Sequence, residues 1–367
     1  MRICLSMIVR NEAPVIERCL RSVRPYIHSW AIADTGSNDG TQALVRRAMA
    51  GLPGELIERP WVDFAHNRNE ALQLARAHGD YALIIDADEV LVADADFEWP
   101  MLDAPGYLLE LVYGNTRYRR VALPRLDLDW CWRGVLHEAL VSSRAAEARY
   151  LPGLRIHVHS DGARSQRPQA EKFAADAEVL RKALVDEPDN ARYAFYLAQS
   201  LRDAGRIDEA IAAYRQRVVM GGWSEEVYQS MLQIALLGER SGHPEAEVLT
   251  AYLHAYDYRP GRAEAPCELA RYCRLHKHYA LARDFAAIAV AMPPTEDVLF
   301  VDHSVYAWRA RDELAVSSYW CGEYARSAEL SGELLASPLL PESERARVEA
   351  NLGFALAPPA AGGGASR

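Results

Sequence analysis

Through the first hundred positions, short apolar runs alternate with amphipathic stretches. RICLSMIV (2–9), SWAIAD (29–34), GELIERP (54–60) and YALIID (81–86) have the length and composition of strands. Between them, APVIERCLRSVRPY (13–26), GTQALVRRAMAG (40–51) and AHNRNEALQLARAHG (65–79) repeat their apolar residues at the helical period. Strands and helices alternating at this pace predict βαβ units and a parallel sheet. In such a sheet ligands bind beyond the carboxyl ends of the strands. Three of those ends are polar here: Arg10, Asn11 and Glu12 follow the first strand, Asp34 closes the second, and Asp86, Asp88 and Glu89 end the fourth.

From about 100 to 160 the pattern changes to strands and loops, with GYLLELVYG (106–114), RYRRVALPRL (117–126) and LRIHVHS (154–160). After Pro168 every periodic segment is helical, and the pattern repeats. Units aligned on their packing positions begin at Ala191, Gln229, Ala263 and Trp308, so the starts differ by 38, 34 and 45 residues. Small residues stand where paired helices approach and large ones fill the groove between them: Leu197, Ala198, Leu201 and Gly205 in the first unit, Leu269, Ala270 and Cys273 in the third. The second unit matches least. The spacing resembles the tetratricopeptide period of about 34 residues, with SERARVEANLGFAL (343–356) as a terminal capping helix. An irregular helical bundle is the alternative. The expected organisation is an α/β domain at 1–165, an all-α tetratricopeptide-like solenoid at 166–357, and a disordered Pro/Gly/Ala-rich tail at 358–367.

Composition narrows the function. A chain of 367 residues suits two domains. A net charge of -10 argues against a nucleic-acid binder, which needs basic surface. No apolar run is long enough to span a membrane, and MRICLSMIVRNE turns polar too soon for a signal peptide. Six cysteines without CxxC spacing read as free thiols in a reducing cytoplasm, so the expected location is cytoplasmic.

The acidic end of YALIIDADE carries the chemistry. Charge of one sign packed this tightly raises the pKa of its members or requires a cation. On a strand, Asp86 and Asp88 would share one face, and two carboxylates supply oxygen ligands to Mg²⁺ or Mn²⁺. A second Asp-Ala-Asp at Asp94 and Asp96 has no long apolar strand before it and reads as a solvated turn.

Four ordered motifs across nearly all of residues 1–92, SMIVRNEAPVIERCLRSV, ADTGSNDGT, WVDFAHNRNEALQLA and YALIIDADE, resemble the family-2-like glycosyltransferases. That resemblance implies the Rossmann-like GT-A nucleotide-sugar fold, and the helical part looks like the tetratricopeptide extension of some bacterial members. It implies that Val9, Asn11 and Glu12 line the nucleoside pocket and that Asp34 hydrogen-bonds the base, usually a pyrimidine. The second acid that often follows is replaced by Thr35. Arg68 and Asn69 match the pair facing the donor, Asp86 would sit near the ribose, and Asp88 would bind the metal bridging the two phosphates.

The family's catalytic base is a carboxylate after this strand, and Asp127, Asp129 and Glu138 are the candidates. Glu138 is preferred because it follows Trp130 and Trp132, aromatic rings suited to a sugar face, with His137 as an orienting neighbour. The alternative pairs Glu138 with an arginine and makes Asp129 the base. A late histidine often completes the metal site, here His159, with His157 the other candidate. Arg164 is placed to meet the diphosphate. The expected activity is therefore an inverting, metal-dependent transfer of a sugar from a nucleotide sugar, UDP-linked, to a peptide, protein or glycan acceptor. Helical repeats build concave surfaces that hold peptides. A non-catalytic repeat scaffold with a degenerate first domain is the alternative.

Overall fold

The computed structural model of the protein describes residues 1–144, 147–159, 161–163 and 168–357. Arg164 and the tail 358–367 lie outside these described residues. The chain forms two compact units, Met1–Met220 and Gly221–Arg367.

The first unit opens with β1 (Ile3–Val9), α1 (Ile16–Val23), β2 (Ser29–Asp34), α2 (Thr41–Ala48), β3 (Gly54–Glu58), α3 (Phe64–Ala75) and β4 (Tyr81–Ile84). The four strands form the predicted parallel sheet, in the order β3-β2-β1-β4. β1 is buried along almost its whole length, as a central parallel strand must be. In α1, Ile16, Cys19, Leu20 and Val23 are buried at helical spacing, which fixes the helix against the sheet. The winding direction reverses at β1, because β2 and β3 lie on one side of it and β4 on the other. That reversal opens a crevice beyond the strand ends. Register sets Val9 of β1 opposite Asp34 of β2 at its edge.

A second sheet contains β5 (Glu89–Ala93), β6 (Gly106–Tyr113), β7 (Thr116–Pro124) and, after the hairpin of β8 (Cys131–Arg133) and β9 (Ala139–Val141), β10 (Arg149–Val158). The order of these four is β7-β6-β10-β5. Two sequence expectations change here. β4 ends at Ile84 and Ala87–Asp88 form a turn into β5, so Asp86 and Asp88 do not share a strand face. The Asp94–Asp96 stretch is exposed and turns as expected, but β5 does lead into it. Asp94 is occupied by an ion pair with Arg155 of β10.

The first unit closes with α4 (Gln169–Asp186), α5 (Ala191–Asp203) and α6 (Ile207–Met220). The second unit holds α7 (Ser224–Arg240), α8 (Glu245–Tyr258), α9 (Glu264–Leu275), α10 (Tyr279–Ala291), α11 (Ala310–Trp320), α12 (Tyr324–Ala336) and α13 (Glu342–Leu356). Within each unit every one of these helices packs on the next, giving tetratricopeptide-like hairpins. The second repeat starts at Ser224, five positions before the expected Gln229, because Gly221 and Gly222 take left-handed φ values of 63° and 81° and end α6 there. The expected fourth start, Trp308, falls within a π-helical turn, Val305–Arg309, that leads into α11.

The long third interval is taken up by residues 292–304, which fold back onto buried charge. Glu225 accepts the N–H groups of Val298 and Leu299 at 2.8 and 2.7 Å. Arg262, fully buried, meets Glu264 at 2.8 Å and Asp297 at 2.9 Å. Further pairs join alternate helices: Arg271 to Glu239, Arg309 to Glu268, Arg274 to Glu313 and Arg347 to Asp312. Among the described residues no helix is long and apolar enough to cross a membrane. Removing Arg262 leaves the buried Glu264 without its arginine, while Asp297 keeps Arg259. Arg262→Met is expected to destabilise the second unit by about 3–5 kcal/mol in urea unfolding, and a loss near zero would show that the network is solvated.

Candidate active site

The ends of β1 and β2 are locked together by side chains acting on backbone. Asn11 sits in the left-handed region at φ 56°. Its N–H donates to Ser37 Oγ at 2.9 Å, and its Oδ1 accepts the Asn38 N–H at 2.8 Å. Glu12 N–H donates to Thr41 Oγ1, and Ala13 N–H to Asp39. Asp34 is fully buried, and its Oδ1 accepts N–H bonds from Gly36 and Ser37, both at 2.9 Å. Its Oδ2 is buried with no hydrogen-bond partner among the described residues. A buried carboxylate oxygen left in this state is an unfilled acceptor. Thr35 spends its hydroxyl on the Val9 carbonyl.

Beyond β4 the two aspartates diverge. Asp88 faces Glu12 and the turn after β10. Gly162 stands so close that a Cβ there would lie 3.0 Å from Glu12 Oε2 and 3.1 Å from Asp88 Oδ2. Ala163 N–H donates to Glu12 at 3.1 Å, and Arg18 fastens the turn by a two-pronged ion pair with Asp161 at 2.6 and 2.7 Å. Burial pushes the Glu12 carboxyl up to about 7, helped by the charges of Asp88, Asp86 and Asp39 and opposed by the Ala163 N–H. Burial and the neighbouring Asp86 likewise raise Asp88.

Asp86 faces the opposite sign of charge. Arg68 of α3 reaches it at 2.8 Å and reaches Glu138, just before β9, at 2.5 Å. The guanidinium carbon lies 5.0 Å over the Trp132 ring. Burial works against ionisation of Asp86, but Arg68 and Arg120 outweigh it and hold its pKa below the ordinary value. Arg120, on β7, also pairs with Glu89 at 2.7 Å. Burial pushes Glu89 up to about 7 even beside that arginine, with Asp86 and Asp88 adding to the push.

The structure thus joins Asp86, Arg68 and Glu138 in one ion-paired chain and brings Asp88 to Glu12. Glu138 takes its charge partner from Arg68, while the His137 ring stacks on Tyr196 of α5. Asn69 holds the backbone of Trp132 by two hydrogen bonds, at 2.7 and 2.9 Å, and so anchors the hairpin. Asp129 is capped by Ser142 and Ser143, whose hydroxyls hold it well below the carboxylate range, and Asp127 pairs with Arg125. His159 is exposed, and burial with Arg155 nearby lowers His157. Among the described residues no three His, Cys, Asp or Glu side chains converge as a metal cage. Sequence reasoning passed over Arg120. The period-two spacing of RYRR placed it on a strand face with Tyr118, but nothing told it apart from the arginines beside it.

Residues 4–99 match the family described as glycosyl transferase family 2. The chain carries a family 2 glycosyltransferase domain at its N-terminus. A tetratricopeptide (TPR) repeat-containing protein of Synechococcus elongatus is 28% identical over 267 residues, 67% of this chain and 64% of that protein. The chain therefore spans slightly less than two thirds of that relative's length. Among solved structures, BtubC from P. vanneervenii gives a TM-score of 0.41 at 16% identity, over 54% of this chain and 84% of that one. A tetratricopeptide repeat protein from Parabacteroides merdae gives 0.38 at 18% identity, over 51% and 71%. Likenesses of this size carry no further conclusion.

In the N-terminal domain, the oxygen donors a hard divalent cation would take are two carboxylates, Glu12 and Asp88. Their oxygens come together beside Gly162, where the lack of a Cβ leaves both unobstructed, and both carboxyls hold protons more tightly than usual. The same shift has a consequence for stability. Folded Glu12 binds its proton more tightly than the unfolded chain, so the stabilisation is present at low pH and is lost as pH rises from about 4.5 to about 7. In EDTA, urea unfolding between pH 5 and 7.5 is expected to cost wild type about 1–3 kcal/mol more than Glu12→Gln. Glu89 adds a slope of the same sign to both proteins. Equal losses in the two would place Glu12 in contact with water.

Proposed function

We propose that the first unit transfers a sugar from a nucleotide sugar, UDP-linked, to an acceptor with inversion and with help from a divalent cation, Mn²⁺ or Mg²⁺. The observation that carries the reading is the pairing of a buried, unpartnered Asp34 oxygen at one strand end with the Asp86–Arg68–Glu138 chain at another. Asp34 Oδ2 accepts a base N–H, with Val9 and Asn11 beside it on the β1 end. Asp86, held ionised by two arginines, is suited to accept from a ribose hydroxyl. Asp88 and Glu12 would hold the cation, with His159 the further ligand that the family resemblance suggests. Bound there, the cation would offset the charge that develops on the leaving diphosphate.

Glu138 is read as the base that takes the acceptor proton at its carboxylate. Arg68 fixes its direction, and Trp132 offers an apolar wall. A second reading is favoured by that same ion pair: Glu138 anchors Arg68 and Arg68 serves the donor. The acceptor is proposed to be a polypeptide, because stacked helical hairpins form surfaces that hold peptides; a glycan is the other class. Six free cysteines support a reducing compartment such as the cytoplasm. A panel of UDP-, GDP- and dTDP-sugars scored for thermal shift and nucleotide release tests the donor.

UDP binding measured by calorimetry is expected to weaken strongly in EDTA and in Asp88→Ala; equal affinity in all three conditions would remove the cation from the reading. Glu138→Gln separates the two roles of that residue. A base contributes roughly 10²–10⁴-fold, so turnover falls by about that factor while UDP affinity holds. An equal fall in UDP affinity would make Glu138 the anchor of Arg68 instead.

A further inference from the structure

The turn that carries Glu138 is gripped by the first repeat helix of the chain. Gly134 and His137 both take left-handed φ values, 118° and 50°. For a residue with a side chain this conformation costs free energy that the surroundings must supply. The suppliers are three neighbouring residues of α5. Val135 N–H donates to Tyr193 Oη at 3.3 Å, and Arg192 Nε donates to the His137 carbonyl at 2.9 Å. The His137 ring stacks on Tyr196, with centroids 3.9 Å apart and planes 6° from parallel. The Arg192 guanidinium lies 4.9 Å from the centre of the same Tyr196 ring. Tyr193 and Tyr196 are themselves buried, so the clamp is built on fixed side chains.

The held geometry leads directly to the carboxylate. A change at His137 φ swings the next residue, and Glu138 Oε1 stands only 2.5 Å from Arg68 Nε. A turn relaxed out of the left-handed region would carry Glu138 away from Arg68. We infer that Tyr196, backed by Arg192 and Tyr193, is a positioning residue for Glu138, so that a repeat helix sets the geometry of the transfer site. The inference rests on the reading of Glu138 given above.

The test uses the full chain and breaks the stack from both sides, with His137→Ala in the turn and Tyr196→Ala in the helix. Tyr196→Phe keeps the ring. Hydrogen exchange of the amides at 134–139 reports the turn without any substrate. Calorimetry with UDP and Mn²⁺ reports donor binding, and UDP release from UDP-glucose, UDP-galactose and UDP-N-acetylglucosamine reports turnover. Both alanine variants are expected to lose protection at 134–139 and about 10–100-fold in turnover, with UDP affinity within about twofold and with Tyr196→Phe restoring both. Thermal unfolding of His137→Ala at the wild-type temperature shows that the effect is not loss of the fold. Unchanged protection in both alanine variants, or lost protection with wild-type turnover, overturns the inference and leaves the functional reading standing. Wild type releasing no UDP from any of the three sugars overturns the functional reading, and the inference with it.

Discussion

The Arg68 guanidinium stands between two carboxylates that arrive from different parts of the chain, Asp86 after β4 and Glu138 before β9. Most of the site's geometry follows from that placement. A largely buried cation under an indole ring is tolerable only with its countercharges in place, so the β4–β5 turn and the β8–β9 hairpin are held to α3 as well as to each other. The neighbours of Arg68 on the same helix extend the hold. Asn69 reads the backbone of Trp132, and Arg76 donates to the carbonyls of Leu126, Leu128 and Trp130. One helix face therefore acts as the mould for the whole irregular segment that brings Glu138 to the strand ends.

How much of this was legible in the sequence differs by residue. The parallel sheet and its acidic strand ends could be read because burial on both faces writes continuous apolar runs, and because βαβ winding brings those ends to one edge. Asp34 was legible for that reason. Asp88 was half legible: its charge and place were plain, but not that a turn separates its face from that of Asp86. Of these carboxylates so close in sequence, Asp86 is sent to Arg68 and Arg120, while Asp88 faces a further acid, Glu12, and adds to the burial that raises the Glu12 pKa. Arg120 and Tyr196 were out of reach. Each meets its partner across a large sequence separation, and no local period marks one arginine of RYRR or one tyrosine of ARYAFYLAQS.

In the helical half, small residues at packing positions gave the repeats, but their boundaries depended on features outside the period. Two left-handed glycines moved the second start, and the insertion at 292–304 stretched the third interval. That insertion looks like a loop by composition. Its fixed course comes from Glu225 of α7 and Arg262 of the α8–α9 connection, buried residues whose charge has no meaning until the chain is folded.

The ion pairs that join alternate helices of the second unit, Arg271 to Glu239, Arg309 to Glu268, Arg274 to Glu313 and Arg347 to Asp312, give it a particular mechanical character. Helical arrays held by apolar grooves alone can bend and recoil like a spring, since one methyl contact replaces another at little cost. Cross-links of paired charge have a fixed register, and sliding a helix by a fraction of a turn would separate partners whose carboxylates are largely buried. The second unit is accordingly stiff under small loads, and it should yield in steps, rung by rung, when pulled from its ends.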